Sequence, residues 1–264
     1  MATVLLCLHG WGGSAESFTE LTEALKASDL VVLAPDLPGF GKNPDPPRAW
    51  SVDDYADWVT RWFIGEIGRR NVKLDRFFLL GHSHGGRISI KLSYRQSNPS
   101  RDDHGPQLPS IDHLFLCAAA GIKRPRHLKR ILGLTLAKTG RFFLSIPGLN
   151  SLAPLGKKLL YKLVRVHDYE KASPVLRETM IRVTAEDLKP LLEDIAVPTD
   201  LFWGEQDGMT PIADGRLMHE LIRGSRLTTF SSMRHGVHRD AAVQIAQRIL
   251  EVQQTLNANA AVAE

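Results

Sequence analysis

Only two cysteines, Cys7 and Cys117, occur in the 264 residues, and both fall inside apolar runs. Buried free thiols are expected, with neither a disulfide framework nor a metal site. No group of Cys, His, Asp and Glu has the spacing of metal ligands. Long hydrophobic runs are also missing. The longest, residues 4–8 and 30–34, are strand-sized and far short of the ~20 residues that cross a bilayer. The first has no basic segment before it, is too short for a signal peptide, and leads straight into His9-Gly10-Trp11-Gly12-Gly13. A cytoplasmic protein without stable membrane insertion is expected. Internal repeats and recognised nucleic-acid modules are absent as well, which argues against a nucleic-acid partner.

What is present suits one α/β domain carrying an insertion, with 43% hydrophobic residues to build its core. The formal net charge of +4 is unevenly spread. Residues 122–190 hold fifteen Lys and Arg against five Asp and Glu, whereas the rest of the chain holds eighteen against twenty-four. Such a basic segment is either a solvated helical face or a lid that draws in anionic substrates or an acidic surface.

Strand and helix patterns alternate along the chain. Residues 4–8 read as a strand, and residues 17–27 place Phe18, Leu21 and Leu25 at helical spacing. Residues 30–34 are a continuous apolar strand, followed by a Pro- and Gly-rich loop over 37–50. Ser51 then opens a long helix, with Asp54 as its capping-box acid and Val52, Tyr55, Val59, Trp62, Phe63 and Ile67 as its apolar face. Residues 76–80 and 114–119 are further buried strands. After Gly121 some seventy residues keep helical periodicity with no convincing strand. The rhythm resumes with a strand at 199–203, a helix at 211–222, a strand at 227–231 and a last helix from Asp240 to about Leu256. This order predicts a mainly parallel sheet covered by helices. The core is then residues 1–121 and 191–256, residues 122–190 are a helical cap over the carboxyl ends of the strands, and 257–264 are a flexible tail.

One stretch carries chemistry. Residues 77–86 read Phe-Phe-Leu-Leu-Gly-His-Ser-His-Gly-Gly, and a helical pattern over 87–96 follows at once. A strand, a sharp turn with serine at its tip and a helix make up a nucleophile elbow. Gly81 and Gly85, two residues either side of Ser83, would otherwise collide across the turn. The turn aims the backbone N–H of His84 at the space where a substrate oxyanion forms.

Acyl transfer by serine needs a base, a group that orients it and a second oxyanion donor. Each has a nominee at another strand end. The glycines around Trp11 let the backbone come close to a substrate, with the Trp11 N–H as donor. Asp207, in the Gly204–Pro211 stretch, is the orienting carboxylate, with Glu205 and Asp214 as rivals. In Ser232-Met233-Arg234-His235-Gly236-Val237-His238, His235 is the first choice of base and His238 its rival. His82 and His84 flank the serine and are expected to shape the pocket floor.

Ser83, Asp207 and His235 occur in the chain order of the α/β-hydrolase arrangement. Together with His9-Gly10 and the Pro35-Asp36-Leu37-Pro38-Gly39-Phe40-Gly41 loop, they make the chain resemble a helical-capped α/β-hydrolase of the esterase and lipase branch. The family usually carries two more strands before the His-Gly strand, so the resemblance implies a sheet of about six strands with 30–34 at an edge; it also commonly has a Gly where this chain has Arg234. An aspartate at the elbow would mark dehalogenases and epoxide hydrolases, and Ser83 argues against both. The resemblance implies a serine hydrolase that needs no cofactor and cleaves a small-molecule carboxylic ester, anionic if the cap recruits it. Hydrolysis of a carbon–carbon bond in a ring-cleavage product is the alternative. A ligand-binding, receptor-like member of the fold is a more distant one.

Overall fold

The computed structural model describes residues 2–99, 107–123 and 172–263. Six parallel strands form one sheet: β1 (Ala2–Leu8), β2 (Val31–Leu33), β3 (Leu74–His82), β4 (His113–Cys117), β5 (Thr199–Gly204) and β6 (Arg226–Phe230). Their spatial order is β2-β1-β3-β4-β5-β6. The three-residue β2 lies at an edge, as the resemblance with its missing pair of strands implies. Val4 to Leu8 and Phe77 to Leu80 are fully buried, which is why these runs are apolar without alternation. The strand order reverses between β1 and β3, so their two carboxyl ends flank a crevice, the usual ligand position in an open α/β sheet.

The helices among the described residues are α1 (Thr19–Ala24), α2 (Val52–Arg69), α3 (His84–Ser97), α4 (Pro174–Ala185), α5 (Ile212–Leu221), α6 (Val237–Asp240) and α7 (Ala242–Ala263). α2 starts as its capping box dictates. The Asp54 N–H donates to Ser51 Oγ at 3.2 Å, and the Ser51 N–H donates back to Asp54 Oδ2 at 2.7 Å. Val52, Tyr55, Val59 and Phe63 are buried beneath it. On the other side of the pair, Lys91 and Arg95 of α3 reach Asp53 and Asp57 of α2. These half-buried ion pairs fix how α3 lies beside α2.

Several boundaries differ from the sequence pattern. The predicted helix over 17–27 is split into a 3-10 turn, Ala15–Phe18, and α1. The predicted strand over 114–119 stops at Cys117 because Ala118 turns to φ 45°. The last helix is broken at Ala241 (φ −112°, ψ 24°) and then runs to Ala263. Residues 257–263, expected as a flexible tail, continue it; four alanines among seven residues favour helix.

Most of the predicted cap, residues 124–171, lies outside the described residues. Its described end, α4, opens with Ser173 accepting from the Leu176 N–H at 3.1 Å and with Pro174 in the first turn. It packs on the loop after β2: Thr179 Oγ1 accepts from the Trp50 N–H at 3.0 Å, and Leu176 fills the space a side chain at Gly39 would need. Arg87 of α3 donates to the Glu186 carbonyl at 2.8 Å, and Lys91 pairs with the Glu186 carboxylate at 2.6 Å.

Replacing Ser51 with alanine removes half of the capping box. A loss of about 1 kcal/mol is expected, read as a lower urea midpoint with an unchanged slope.

Candidate active site

Ser83 occupies the N-cap of α3 with φ 51° and ψ −110°, a conformation that an L residue avoids. Its backbone is pinned on both sides. The Ser83 N–H donates to the Cys117 carbonyl at 3.2 Å, and its own carbonyl accepts from Arg87 at 3.1 Å and Ala120 at 2.9 Å. The glycines around it are required by contact. A Cβ on Gly81 would come within 2.6 Å of the Gly85 carbonyl and collide with the Ser89 hydroxyl. One on Gly85 would run into the Leu8 carbonyl of β1, and one on Gly86 would meet the Ala119 backbone at 2.9 Å. The Gly85 N–H meanwhile donates to the His9 carbonyl at 3.0 Å. The turn is thus clamped between β1 and the loop after β4. Within it Ser83 is partly exposed while His82, His84 and Gly85 are buried.

The loop after β1 is shaped by His9. Its Nδ1–H donates to the Gly10 carbonyl at 2.7 Å, and its Nε2 accepts from the Leu37 N–H at 2.9 Å. Those two partners leave one possible neutral tautomer. Burial lowers the pKa of this ring and keeps it neutral. Asp36 accepts from the N–H groups of Ala15 at 2.7 Å and Lys42 at 2.8 Å, and so joins this loop to the one after β2. The Trp11 ring lies edge-on to Phe40 at 4.9 Å and to His84 at 5.4 Å. Tyr55 packs edge-on to His84 from the far side at 4.9 Å, its hydroxyl donating to the Pro38 carbonyl. Among the described residues, the N–H groups of Trp11 and His84 make no backbone hydrogen bond.

Asp207 and His235 come together from the loops after β5 and β6. His235 Nδ1 donates to Asp207 Oδ2 at 2.7 Å. Asp207 Oδ1 accepts from the Met209 N–H at 2.7 Å and the Thr210 N–H at 3.0 Å, while the Thr210 hydroxyl lies 2.8 Å from Oδ2. Burial opposes ionisation of this carboxylate, but the bonds from His235, Met209 and Thr210 outweigh it and lower its pKa. The rivals stand elsewhere. Glu205 accepts from the Thr229 hydroxyl at 3.0 Å, and Asp214 lies in the first turn of α5. His238 is buried in α6, with its ring stacked on His82 at 3.7 Å and its Nδ1 without a hydrogen-bond partner among the described residues.

Two contributors were not assigned from sequence. Thr210 Oγ1 lies within hydrogen-bond reach of Asp207, the Ala118 carbonyl (3.0 Å) and His235 Nδ1 (3.2 Å), so it sits at the junction of three loops. The spacing of a hydroxyl three residues after an aspartate was its only sequence signal. His82 donates from Nε2 to the His235 carbonyl at 3.0 Å. No sequence signal separates that task from the pocket-floor role expected of it, because its partner is 153 residues away.

Comparison with known proteins identifies the fold's relatives. The model of the alpha/beta hydrolase family matches residues 5–248. The pimeloyl-[acyl-carrier protein] methyl ester esterase of Neisseria meningitidis serogroup B is 26% identical over 244 residues, covering 86% of this chain and 84% of that protein. Lipase 1 of Psychrobacter immobilis is 22% identical over 241 residues, covering 88% and 70%. The solved structure of an esterase from Exiguobacterium antarcticum superposes with a TM-score of 0.66 at 23% identity, covering 96% of this chain and 92% of that one.

The buried histidines make stability sensitive to acid. Burial first, then Arg87, pushes His84 down to about 3, and burial with Arg239 pushes His238 to about 3 as well. In the unfolded chain both titrate near 6.5 (about). Their folded values are depressed, so between those limits the unfolded chain binds more protons. Their contribution is complete above about pH 6.5 and shrinks on acidification by about 1.4 kcal/mol per pH unit per histidine. Melting temperature is expected to fall from pH 6.5 toward pH 4, less steeply in a His238→Phe variant. A flat profile, or equal slopes, would show the rings to be solvated.

Proposed function

The chain belongs to the alpha/beta hydrolase family, and from that premise we propose that it is a serine hydrolase cleaving carboxylic esters through an acyl-enzyme on Ser83. The observation that carries this reading is the combination of a strained, partly exposed serine with a histidine whose Nδ1 is tied to a buried carboxylate. Ser83 Oγ attacks the ester carbonyl carbon while His235 Nε2 takes its proton. The N–H groups of Trp11 and His84 receive the charge that develops on the carbonyl oxygen. His235 returns the proton to the leaving alcohol as the carbon–oxygen bond breaks. It then accepts a proton from a water that attacks the acyl-enzyme, and passes it to Ser83 Oγ as the acyl carbon–oxygen bond breaks and the carboxylic acid leaves. Asp207 stays ionised throughout. It keeps the proton of the neutral imidazole on Nδ1 and stabilises the imidazolium that forms.

The comparisons support the substrate class in its outline, because the relatives described above are named as esterases and a lipase. For the substrate's charge, the support is the excess of Lys and Arg over residues 122–190. We assign those residues to a cap that favours an anionic small-molecule ester. The core, residues 1–121 and 191–256, supplies the chemistry.

Turnover of p-nitrophenyl butyrate is expected, with kcat lowered about 10⁴-fold or more by Ser83→Ala and by His235→Ala. An unchanged rate in Ser83→Ala would remove the serine from the reaction, and a loss confined to His238→Ala would transfer the base to that residue. For the cap, raising salt from 50 to 500 mM is expected to lower kcat/KM for an anionic ester more than for a neutral one of equal length. Equal salt dependence would reduce the basic segment to a solvated face.

A further inference from the structure

If Ser83 and His235 are the reacting pair, something must fix the reach between them. They sit at the ends of β3 and β6, and β4 and β5 separate those two strands. The loop that carries His235 is held from the β5 side. The Gln206 N–H donates to the Met233 carbonyl at 3.0 Å, and Gly204 lacks the Cβ that the Met233 and Arg234 carbonyls would meet. From the serine's own strand comes the bond between His82 Nε2 and the His235 carbonyl, at 3.0 Å. A carbonyl oxygen only accepts, so Nε2 carries the proton.

The His82 ring is wedged in place. It stacks on His238 with centroids 3.7 Å apart and planes at 28°, and it lies against His235 at 4.8 Å and 52°. Phe18 braces His238 edge-on at 5.5 Å. On the other side Gly10 leaves it room, since a Cβ there would come within 2.8 Å of His82 Nδ1. Burial, reinforced by the neighbouring histidines, keeps the ring neutral. Neutral rings can stack at this distance, whereas two imidazolium ions would repel.

We propose that His82 is a positioning residue whose buried Nε2–H sets the reach of His235 toward Ser83, its neighbour in the chain, with His238 as the ring that holds His82 in place. The inference rests on the assignment of Ser83 and His235 above. Ser83 is already immobilised by its strained backbone, so a side chain one residue earlier is fixed to the same frame. Gripping the backbone of His235 from there ties nucleophile and base to one rigid body, although their sequence positions are far apart. A displacement of about 1 Å between reacting groups can cost about 10²-fold in rate.

The test begins on the unaltered protein. Long-range ¹H–¹⁵N correlation should show His82 as the Nε2–H tautomer, and the Nδ1–H tautomer would overturn the proposal even if no variant folds. His82→Leu, which has no donor, should lower kcat for p-nitrophenyl butyrate about 100-fold with KM within about threefold. In His82→Gln the amide N–H can reach the same carbonyl, and kcat should recover to within about fivefold of the unaltered protein. A His82→Leu enzyme within about threefold of normal kcat, or a His82→Gln enzyme as slow as His82→Leu, overturns it. Full turnover by Ser83→Ala would overturn the underlying assignment instead. The two failures are distinguishable, because the tautomer is read without reference to Ser83.

Discussion

The close approach of α3 to the carboxyl ends of β1 and β3 is the constraint on which the site depends. A backbone conformation such as that of Ser83 costs about 1–3 kcal/mol and survives only where the surroundings over-determine it. Here they do so by exclusion as much as by bonding. Gly81, Gly85 and Gly86 each lie where a side chain would strike backbone, against Gly85, Leu8 and Ala119 respectively. Removing those side chains lets the helix start within hydrogen-bond distance of His9. The serine is left partly exposed at the one point where the turn cannot be buried. Every other feature of the site is arranged around that fixed position.

Histidine serves that arrangement in unlike ways, and environment decides which. His9 uses both ring nitrogens to shape a loop, and His82 uses one to hold another histidine's backbone. His84 and His238 are buried with a nitrogen that has no hydrogen-bond partner among the described residues, and burial holds both neutral. Of these five, His235 is bonded to a carboxylate, and it is also less deeply buried than the other four. A base has to gain a proton during turnover, so it needs a partner for the charged form. His9, His82, His84 and His238 work as neutral donors, acceptors and packing surfaces, for which desolvation is an advantage.

Much of this was legible in the chain. The continuous apolar runs of β1, β3 and β4 announced buried parallel strands, and Ser51 with Asp54 announced the start of α2. The Gly-His-Ser-His-Gly stretch announced its own turn, because glycine spacing there answers to a steric rule that acts over four residues. Where contacts are not local, legibility failed. Neither the one-turn break at Ala241 nor the halt of β4 at Ala118 has a breaker residue to mark it. The helix through residues 257–263 was read as a tail, since small polar composition suits either state.

The sequence by itself determined the fold class and the chemistry available at each strand end, because hydrophobic period and turn chemistry are written into neighbouring residues. Which of two histidines three residues apart meets Asp207 was decided only by tertiary structure. His235 and His238 are equally acceptable as residues. His235 lies in the loop after β6, which Gln206 and His82 hold beside Asp207, whereas His238 lies in α6 and stacks on His82. The contacts of Thr210 and His82 likewise emerge only in three dimensions, since a hydrogen bond spanning 92 or 153 residues leaves no trace in local pattern.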